Sequence, residues 1–559
     1  MVLRPGLGAA LFAFAVMAAL GGGCQLVSGL STLEKGGATA TGKGCAVDPE
    51  CASGFCIDGV CCDASCAGPC RACNLPGAVG TCTPHPVDTD PEQGCGGLAK
   101  CDGSGSCAGG VLIWSRRFGD ADNQFALDLA VDSSRNVVMV GGFGGSMDLG
   151  GGSMVAQGTR DGFVAKLGPD GSHQWSKRFG NDQARVSSVA VTPAGQVFIT
   201  GEFRGDLDFG SGQLLQSPST VSGFVASFSS DGIVQWSQSF GGDLRWDATF
   251  DAFRADFPYI TVGPDGAPVL VGRLRGTMLF DQPLTAVGRE DIYIAKLGGG
   301  DGHAIWSRVV QGDGADITFP VSLVADVQTD SHGNVVFDGA FTSTLNFGTF
   351  TVDSQGSTNI YVAQYSPAGD FSWAVKPTGA YAASVAGIGV DASDQVLFAG
   401  MYSGTPSFDG NVLPEPTVGD ANFFLAKVSD NAEPRLARAY LGGPCAIASN
   451  CTQPFSVAVD SVGNIIISGL LESAVDFGGG PLVSAGMGDA FLAKLNIYGD
   501  HVYSKRWGDA QTQASFAAGI DPDGNLLVAG SFMGTLDFGG PSPLTSAGDS
   551  DVFIAKLEP

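Results

Sequence analysis

The chain has few charged residues and very few basic ones, and this scarcity excludes several functions. Charged residues make up 15% of the chain, with 29 lysines and arginines against 56 aspartates and glutamates, so the net charge is −27. Phosphate binding needs clustered Lys and Arg, so the composition argues against nucleic acid as a partner. The same shortage argues against a polybasic patch that would hold the protein on a membrane surface.

Sequence signatures of catalysis are missing as well. The chain contains no His-Glu-x-x-His, no nucleophile elbow and no phosphate loop, and only five histidines, His85, His173, His303, His332 and His501. Three of them precede a strand at matching places in different repeats, which indicates architecture. The turn that places Asp170 five residues before Trp175 is similar to the Asp box of sialidases, but that box is structural. A sialidase site would also need a cluster of arginines, whereas the visible arginines recur in strands predicted to be outermost.

A strand-like phrase that ends in Ala-Lys-Leu, or in a close relative of it, occurs seven times. Its copies are Phe163–Leu167, Phe224–Phe228, Tyr293–Leu297, Tyr361–Tyr365, Phe424–Val428, Phe491–Leu495 and Phe553–Leu557. Their alanines are 61 to 69 residues apart; Ala165, Ala226 and Ala295, for example, are separated by steps of 61 and 69. A fixed period of strand-like segments indicates a repeat architecture.

Each repeat contains four strand signals. The first strand alternates, as in Leu127–Asp132, and a tight turn leads to an apolar second strand such as Val137–Phe143. A longer stretch, which often contains Leu-Asp-Phe-Gly, leads to the repeated phrase, which is the third strand. A second tight turn and a fourth strand follow. The fourth strands open on Trp114, Trp175, Trp236, Trp306, Trp373, Leu436 and Tyr503. Four antiparallel strands repeated seven times predict an all-β chain that forms a seven-bladed β-propeller.

The strand order at the two ends of the repeat region predicts how the ring closes. The region begins with a fourth strand at residues 111–118 and ends at Leu557 on a third strand. We therefore expect the strand at 111–118 to pair as the outer strand of the last blade, in a propeller domain that spans residues 108–559. Such closure protects strand edges from pairing with other chains.

The long connections are the predicted place for binding. Because the strands alternate in direction, the tight turns lie on one rim and the long connections on the other. Loops held by a rigid scaffold carry a disproportionate share of binding residues. The candidate binding rim is therefore an aromatic connection before the third blade, with Trp246, Phe250, Phe253 and Phe257. The alternative is that these aromatics only pack the insertion onto neighbouring blades.

Residues 1–23 have the pattern of an export signal. Arg4 precedes the apolar run Leu7–Leu20, which is too short for a membrane span, and Gly21-Gly-Gly-Cys24 follows. The small residues before the cysteine resemble a bacterial lipoprotein processing site, and the resemblance implies that Cys24 carries lipid. It also implies location in the outer membrane, because residue 25 is Gln and not Asp. Ordinary cleavage with a soluble product is the alternative. Residues 24–44 are predicted to be a flexible tether.

Cysteines are concentrated in residues 45–107. Of the 15 in the chain, 12 lie there: Cys45, Cys51, Cys56, Cys61, Cys62, Cys66, Cys70, Cys73, Cys82, Cys95, Cys101 and Cys107. With Cys24 assigned to lipid, Cys445 and Cys451 remain as a separate pair. Dense, even-numbered cysteines in a short exported segment indicate a disulfide-rich module. The spacing of Cys70 and Cys73 is also that of half a zinc site, although disulfides are the better interpretation.

Two resemblances accompany these patterns. Ser53–Cys62 and Gly103–Cys107 resemble the Cys-rich modules common in exported proteins of myxobacteria. The repeats resemble the bacterial seven-bladed β-propeller repeat family that is often found beside such modules. Together the resemblances cover nearly the whole chain. They imply the architecture and export, and they carry no established catalytic or binding residue.

The sequence favours a non-enzymatic, lipid-anchored protein of the cell envelope, facing the periplasm or the cell surface. Its propeller would be a platform for an unknown protein or carbohydrate ligand, with no catalytic residue, metal site or cofactor. Asp521-Pro-Asp-Gly-Asn525 begins like a calcium loop but lacks the later Glu, so Ca²⁺ is the one cofactor left open. The alternative is an exported carbohydrate hydrolase or lyase with its site at the central channel on the long-connection rim. A purely structural surface component is the third hypothesis.

Overall fold

The computed structural model is all-β and describes residues 39–66, 70–86, 89, 100–101, 107–210, 212–244, 258–288, 290–312, 324–354, 357–379, 381–417, 422–443 and 452–559. Its helical content in these ranges is one 3₁₀ turn, Asp48–Glu50. No helix in these ranges has the length and apolar character needed to cross a membrane.

Seven antiparallel sheets form the seven blades, and each contains four blade strands, as the repeats predict. In three of the sheets a hairpin from the next blade adds two more strands. The first strands are Gln124–Val131, Gln183–Val191, Tyr259–Val262, Asp326–Thr329, Tyr381–Val390, Gln453–Val459 and Gln513–Ile520. The second strands are Val137–Phe143, Val197–Asp208, Pro268–Leu274, Val335–Phe341, Val396–Gly404, Ile465–Leu471 and Leu526–Phe532. The third strands are Asp161–Leu167, Leu214–Phe228, Asp291–Leu297, Asn359–Tyr365, Asn422–Val428, Asp489–Leu495 and Asp551–Leu557. The fourth strands are His173–Phe179, Val234–Leu244, Ala304–Gly312, Phe371–Val375, Pro434–Gly442, His501–Trp507 and Leu112–Phe118.

The ring is closed by the strand that comes first in the propeller. Leu112–Phe118 pairs antiparallel with Asp551–Leu557, so that Trp114 lies opposite Lys556 and Phe118 opposite Val552. Side chains of this closing strand share a buried core with residues of blade 7 and blade 1. The first strand of the propeller thus completes the last blade, and it begins at Leu112 in place of residue 111.

In most blades the aromatic residue at the start of the fourth strand donates a hydrogen bond to the next blade. The indole N–H of Trp175 donates to the carbonyl of Ser230 at 3.0 Å, and the indole N–H of Trp114 donates to the carbonyl of Pro169 at 2.9 Å. A glycine in the same turn, Gly232 with φ +76°, lies so close that a Cβ there would be 2.6 Å from the Trp175 ring. Where Leu436 replaces the tryptophan, the hydroxyl of Tyr440 donates to the carbonyl of Gly499 at 2.6 Å instead.

The lysine of the repeated phrase is a buried cation with a dedicated partner. Lys166 pairs with Asp132 at 2.9 Å and Lys556 pairs with Asp521 at 2.7 Å, although lysine and aspartate are both almost fully buried. The aspartate closes the first tight turn of the blade; Asp521, for example, accepts hydrogen bonds from the backbone and the side chain of Asn525. Turn geometry therefore explains the calcium-like Asp521–Asn525 segment.

The stretch between the second and third strands is a short hairpin at the edge of the blade. Examples are Ser146–Asp148 with Ser153–Val155 and Thr344–Asn346 with Thr351–Asp353. In blade 4 the hairpin also pairs with the fourth strand of blade 3, Gln311 lying opposite Asn346. The Leu-Asp-Phe-Gly signal marks these hairpins, and the Phe or Leu side chains, such as Phe477, anchor them in the core. The sequence predicted only a longer stretch here.

The Cys-rich module contains short two-stranded sheets held by five disulfides in its described part. These join Cys45 to Cys56, Cys51 to Cys61, Cys62 to Cys73, Cys66 to Cys82 and Cys70 to Cys101. The zinc alternative for Cys70 and Cys73 is wrong, because both sulfurs are bonded to other cysteines. Such disulfides are typical of a protein that folds in an oxidising compartment.

Candidate functional site

An axial cavity of about 430 Å³ lies between the first strands of the blades. It is lined by the segments Asp128–Ala130, Ser188–Val191, Tyr259–Val262, Ile388–Val390 and Ser456–Val459, together with single residues that include Asp326 and Ala518. The lining is thus a mixture of β-branched side chains, small residues and a few polar groups. This cavity is where the sequence placed the channel of the alternative enzyme.

The polar groups of the cavity wall connect neighbouring blades. Asp128 of blade 1 accepts hydrogen bonds from the Ser188 hydroxyl at 2.8 Å and the Val189 N–H at 3.0 Å, both in blade 2. Ser456 of blade 6 accepts one from the Ala518 N–H of blade 7 at 3.2 Å. These side chains therefore satisfy backbone donors that a closed ring of inner strands would otherwise leave unpaired.

Apolar side chains lie just beyond the cavity, toward the long-connection rim. The first strands of five blades have a bulge there, and the extra residues are Leu127, Ser187, Ala386, Phe455 and Phe516. The rings of Phe455 and Phe516 come from different blades and are 5.2 Å apart. Leu127 shares a core with Tyr259, and both are buried. The inner strands therefore present a largely apolar surface at this level.

An ion pair is buried between blades 2 and 3, near the long-connection rim. Arg185 donates to one oxygen of Glu202 through Nη2 at 2.8 Å and through Nε at 3.2 Å. The side chains are 3% and 0% exposed. The hydroxyl of Tyr293, in blade 3, is buried nearby and has no hydrogen-bond partner within the described ranges. Burial and the Glu202 carboxylate both raise the pKa of Tyr293.

A second buried charge group belongs to blade 3. Arg273 donates to Glu290 at 2.7 Å, and Arg275 pairs with the other oxygen of the same carboxylate. All three side chains are at most 15% exposed. One glutamate thus accepts from two arginines, one on each carboxylate oxygen.

The sequence missed these arginines as a group. It assigned the recurring arginines to fourth strands, and in blades 1, 6 and 7 that is correct, because Arg178, Arg506 and Arg117 pair there with the aspartate that opens the third strand. Arg185 and Arg273 stand on a first and a second strand instead, and Arg275 directly follows that second strand. Their departure from the repeat pattern was the available signal, but only the fold shows that these strands face buried glutamates.

The histidines and the Asp-box-like aspartates have local partners. The Nε2 atoms of His173 and His501 lie 3.0 and 3.1 Å from the hydroxyls of Ser176 and Ser504, the same contact in two blades. Burial lowers the pKa of His501. Asp170 accepts hydrogen bonds from the N–H and the hydroxyl of Ser172, which lower its pKa. These side chains stabilise turns and hairpins, as their repetition predicts.

One His-carboxylate group has the spacing of a metal site, on the tight-turn rim between blades 4 and 5. Asp330, His332 and Asp394 bring their ligand atoms within 4.8 Å of one another. The same atoms hold two turns together, since His332 Nδ1 lies 3.1 Å from Asp394 and Asp330 accepts the His332 N–H. The contacts of this group are sufficiently explained by that structural role.

Several predicted site residues lie outside the described residues. These are the lipidation residue Cys24, the candidate rim Trp246, Phe250, Phe253 and Phe257, and the cysteines Cys95, Cys445 and Cys451; for Cys107 the backbone alone is described. Their assignments stay predictions. The described residues that flank the aromatic connection are Leu244 of blade 2 and Pro258, whose carbonyl accepts the Ser187 hydroxyl at 2.7 Å.

Comparisons with known proteins agree on repeats and propellers. No family model matches the chain. It is 21% identical over 434 residues to an uncharacterized WD repeat-containing protein of Acanthamoeba polyphaga mimivirus, a match that covers 65% of this chain and only 31% of the viral protein. Similar solved structures include BamB from Moraxella catarrhalis, with 11% identity, a TM-score of 0.36 and coverage of 80% of this chain and 99% of that one.

A polysaccharide lyase, Uly1, is also among the similar structures. It has 12% identity and a TM-score of 0.39, and the match covers 79% of this chain and 89% of the lyase. At these identities the likeness concerns the fold alone. Enzymes and non-enzymes both use this fold, so the function has to be argued from the residues of this chain.

Proposed function

We propose that this chain is an exported, lipid-anchored protein of the cell envelope whose propeller binds another molecule and catalyses no reaction. In this proposal Cys24 carries the lipid, residues 24–44 and the Cys-rich module hold the propeller away from the membrane, and the outer membrane is its location. The ligand, a protein or a carbohydrate, binds on the long-connection rim of blades 2 to 4.

The use of polar side chains in the centre of the ring carries this proposal. An active site needs a nucleophile, acid or base that can reach a substrate. The cavity wall instead uses Asp128 and Ser456 to accept hydrogen bonds from neighbouring blades, and apolar residues such as Phe516 stand at the long-connection end. A rigid ring with structural polar groups and a variable rim supports a binding platform.

Two measurements test the proposal. Labelling cells with radioactive palmitate should mark the wild-type protein and leave Cys24→Ser unmarked. The Cys24→Ser chain, kept whole, should then bind a defined ligand on protein or glycan arrays, and Trp246→Ala with Phe250→Ala should weaken that binding while the thermal unfolding profile stays unchanged. Equal labelling of both proteins would refute the anchor, and unchanged binding by the rim variant would refute the placement of the ligand.

The second candidate function is an exported carbohydrate hydrolase or lyase, and the group Arg185, Glu202 and Tyr293 is the observation that favours it. A tyrosine next to a carboxylate and an arginine has the composition of some glycosidase sites. Depolymerisation of acidic polysaccharides by the wild type, lost in Tyr293→Phe with an unchanged fold, would establish this function and exclude the first proposal.

A further inference from the structure

Blade 4 buries a carboxylate at a position of the second strand where the other blades have an uncharged residue. Asp338 lies in the middle of the second strand and is 0% exposed. Its counterparts at the same place in the other blades are Val140, Thr200, Val271, Ala399, Ser468 and Ala529, none of which is charged. The repeat therefore does not need an acid here, and Asp338 calls for a separate explanation.

A second carboxylate stands directly beside it. Asp326, on the first strand of blade 4, is the register partner of Asp338 and lines the axial cavity. Register partners in an antiparallel pair have their side chains on the same face of the sheet, close together. One oxygen of Asp326 faces blade 5, where it accepts the Ile388 N–H at 3.4 Å. The pair thus lies between the cavity and the interface of blades 4 and 5.

The contacts within the described ranges do not compensate the charge of Asp338. Within those ranges neither carboxylate oxygen accepts a hydrogen bond from a side chain, and no lysine, arginine or histidine forms an ion pair with it. Burial first, and then the neighbouring Asp326 carboxylate, raise its pKa well above the ordinary value. The backbone N–H groups of Asp326 and Asp338 lower its pKa only in part. Burying a carboxylate without a partner is expensive, so a bound positive charge would stabilise this arrangement strongly.

We propose that Asp338 and Asp326 bind a divalent cation, with Ca²⁺ as the best match, in the wall of the axial cavity between blades 4 and 5. Carboxylate and water oxygens are the ligands that Ca²⁺ prefers, and its flexible coordination tolerates a site completed by water. The cavity can supply those waters, because its volume of about 430 Å³ is many times that of one water molecule. A net charge of −27 also attracts cations to the protein.

On the side of blade 5, a residue without a side chain faces the acid pair. The residue that faces the pair there is Gly387, and a Cβ at this position would lie 3.5 Å from Asp326 Oδ2 and 3.2 Å from the Val457 N–H nitrogen. A side chain on residue 387 would thus occupy the space in front of the Asp326 carboxylate. Glycine leaves this space open.

The chain contains its own control for the proposed site. Asp128 occupies the place of Asp326 in blade 1, also lines the cavity and also accepts a hydrogen bond from the next blade, but Val140 stands behind it where blade 4 has Asp338. General attraction of cations to an acidic cavity would involve Asp128 and Asp326 alike. A built site would involve the paired acids of blade 4 only.

The test measures Ca²⁺ binding by the whole exported chain after removal of metal with a chelator. Titration calorimetry should detect one saturable site, and Ca²⁺ should raise the thermal unfolding midpoint of the wild type. Asp338→Asn should bind more weakly by on the order of 10-fold or more, since even outer partners of a metal site contribute that much. Asp128→Asn should retain the affinity and the thermal response of the wild type.

A further variant separates a folding defect from loss of the ion. Asp338→Val introduces the residue that blades 1 and 3 have, so it should fold, show no response to Ca²⁺ and unfold at a higher temperature than metal-free wild type. The proposal is wrong if the wild type neither binds Ca²⁺ nor responds to it, or if Asp338→Asn or Asp338→Val responds as strongly as the wild type. In either case a proton on Asp338, or scattered surface acids, would account for the observations.

Discussion

Blades 6, 7 and 1 repeat one design closely, whereas blades 2, 3 and 4 depart from it. In the first group the inner strands have seven or eight residues, and an arginine of the fourth strand pairs with the aspartate that opens the third strand. In blades 3 and 4 the inner strands have four residues each. The buried arginines of blades 2 and 3 and the acid pair of blade 4 belong to this second group.

The difference separates charged residues that stabilise the fold from charged residues that need another explanation. A charge that recurs in the same place with the same partner stabilises each blade that has it in the same way. It needs no ligand to explain it. Buried charges are costly, so a charge that occurs in a single blade needs its own reason. The variable blades are therefore the better place to look for function, and the regular ones provide matched controls.

Removing the closing strand has the largest expected effect, because it opens the ring in the regular region. A chain without residues 112–118 lacks the outer partner of Asp551–Leu557, which then pairs only with Leu526–Phe532 and has its other edge exposed. We expect a protease-sensitive product without a cooperative unfolding transition, as measured by limited proteolysis and circular dichroism. As the control, replacement of the hairpin Ser146–Val155 by a short turn should lower stability, because Met147 and Leu149 are buried, but should keep a cooperative transition, since this hairpin forms a sheet of its own and the ring stays closed. Cooperative unfolding without residues 112–118 would contradict the closure.

Breaking the buried ion pair of blade 2 should have the next largest effect. Arg185→Met removes this arginine from the buried Glu202 carboxylate, which should lower the free energy of unfolding by about 3–5 kcal/mol in a denaturant titration. Blade 2 provides the control in Arg204 and Asp182, an exposed pair at 2.8 Å between the same two strands. Arg204→Met should have no measurable effect. Similar losses in both variants would mean that burial does not distinguish the two pairs.

Loss of the inter-blade tryptophan contact should lower the free energy of unfolding by the same amount in both regions. Trp175→Leu in blade 1 and Trp306→Leu in blade 3 each remove an indole N–H that donates to the next blade, at 3.0 and 2.9 Å. We expect a loss of about 1–3 kcal/mol in each, from one hydrogen bond and reduced packing. Thermal and urea unfolding measure it, with Trp→Phe at each position as the control for packing. A loss confined to one region would show that this contact does not stabilise the two regions equally.

A pH effect of smaller size is expected in blade 6, at Glu472 on the long-connection rim. Burial raises the pKa of Glu472 to about 7 from an ordinary value of 4.5. The folded protein then holds this proton more tightly than the unfolded chain, so its contribution to stability falls as pH rises from about 4.5 to 7.

Glu472→Gln should therefore raise the free energy of unfolding above pH 7 by about 1 kcal/mol, a value reduced because the side chain is partly exposed, and have little effect near pH 4.5. Unfolding at the two pH values measures the difference. The exposed Glu433→Gln is the control and should show no such dependence. A stabilisation by Glu472→Gln that is independent of pH would show that ionisation is not its cause.

The repeated features were predictable and the departures were not. The phrase that ends in Ala-Lys-Leu predicted the third strands because a buried strand, a fixed period and a following turn are local properties. The hairpin at Ala474–Asp476 was not predicted, because its short strands are stabilised by Phe477 in the core and by pairing with blade 5. The pairing of Arg273 with Glu290 was not predictable either, since sequence shows an arginine but not which strand it faces.

The sequence by itself determined the number of blades, the direction of their strands and the segment that closes the ring, because period, alternation and turn residues act over short distances along the chain. Only the tertiary structure decided that Asp338 stands beside Asp326, that Arg185 meets Glu202, and that Asp128 and Ser456 satisfy backbone donors of neighbouring blades. These contacts join residues from different strands or blades, and their register and burial arise only when the ring is assembled.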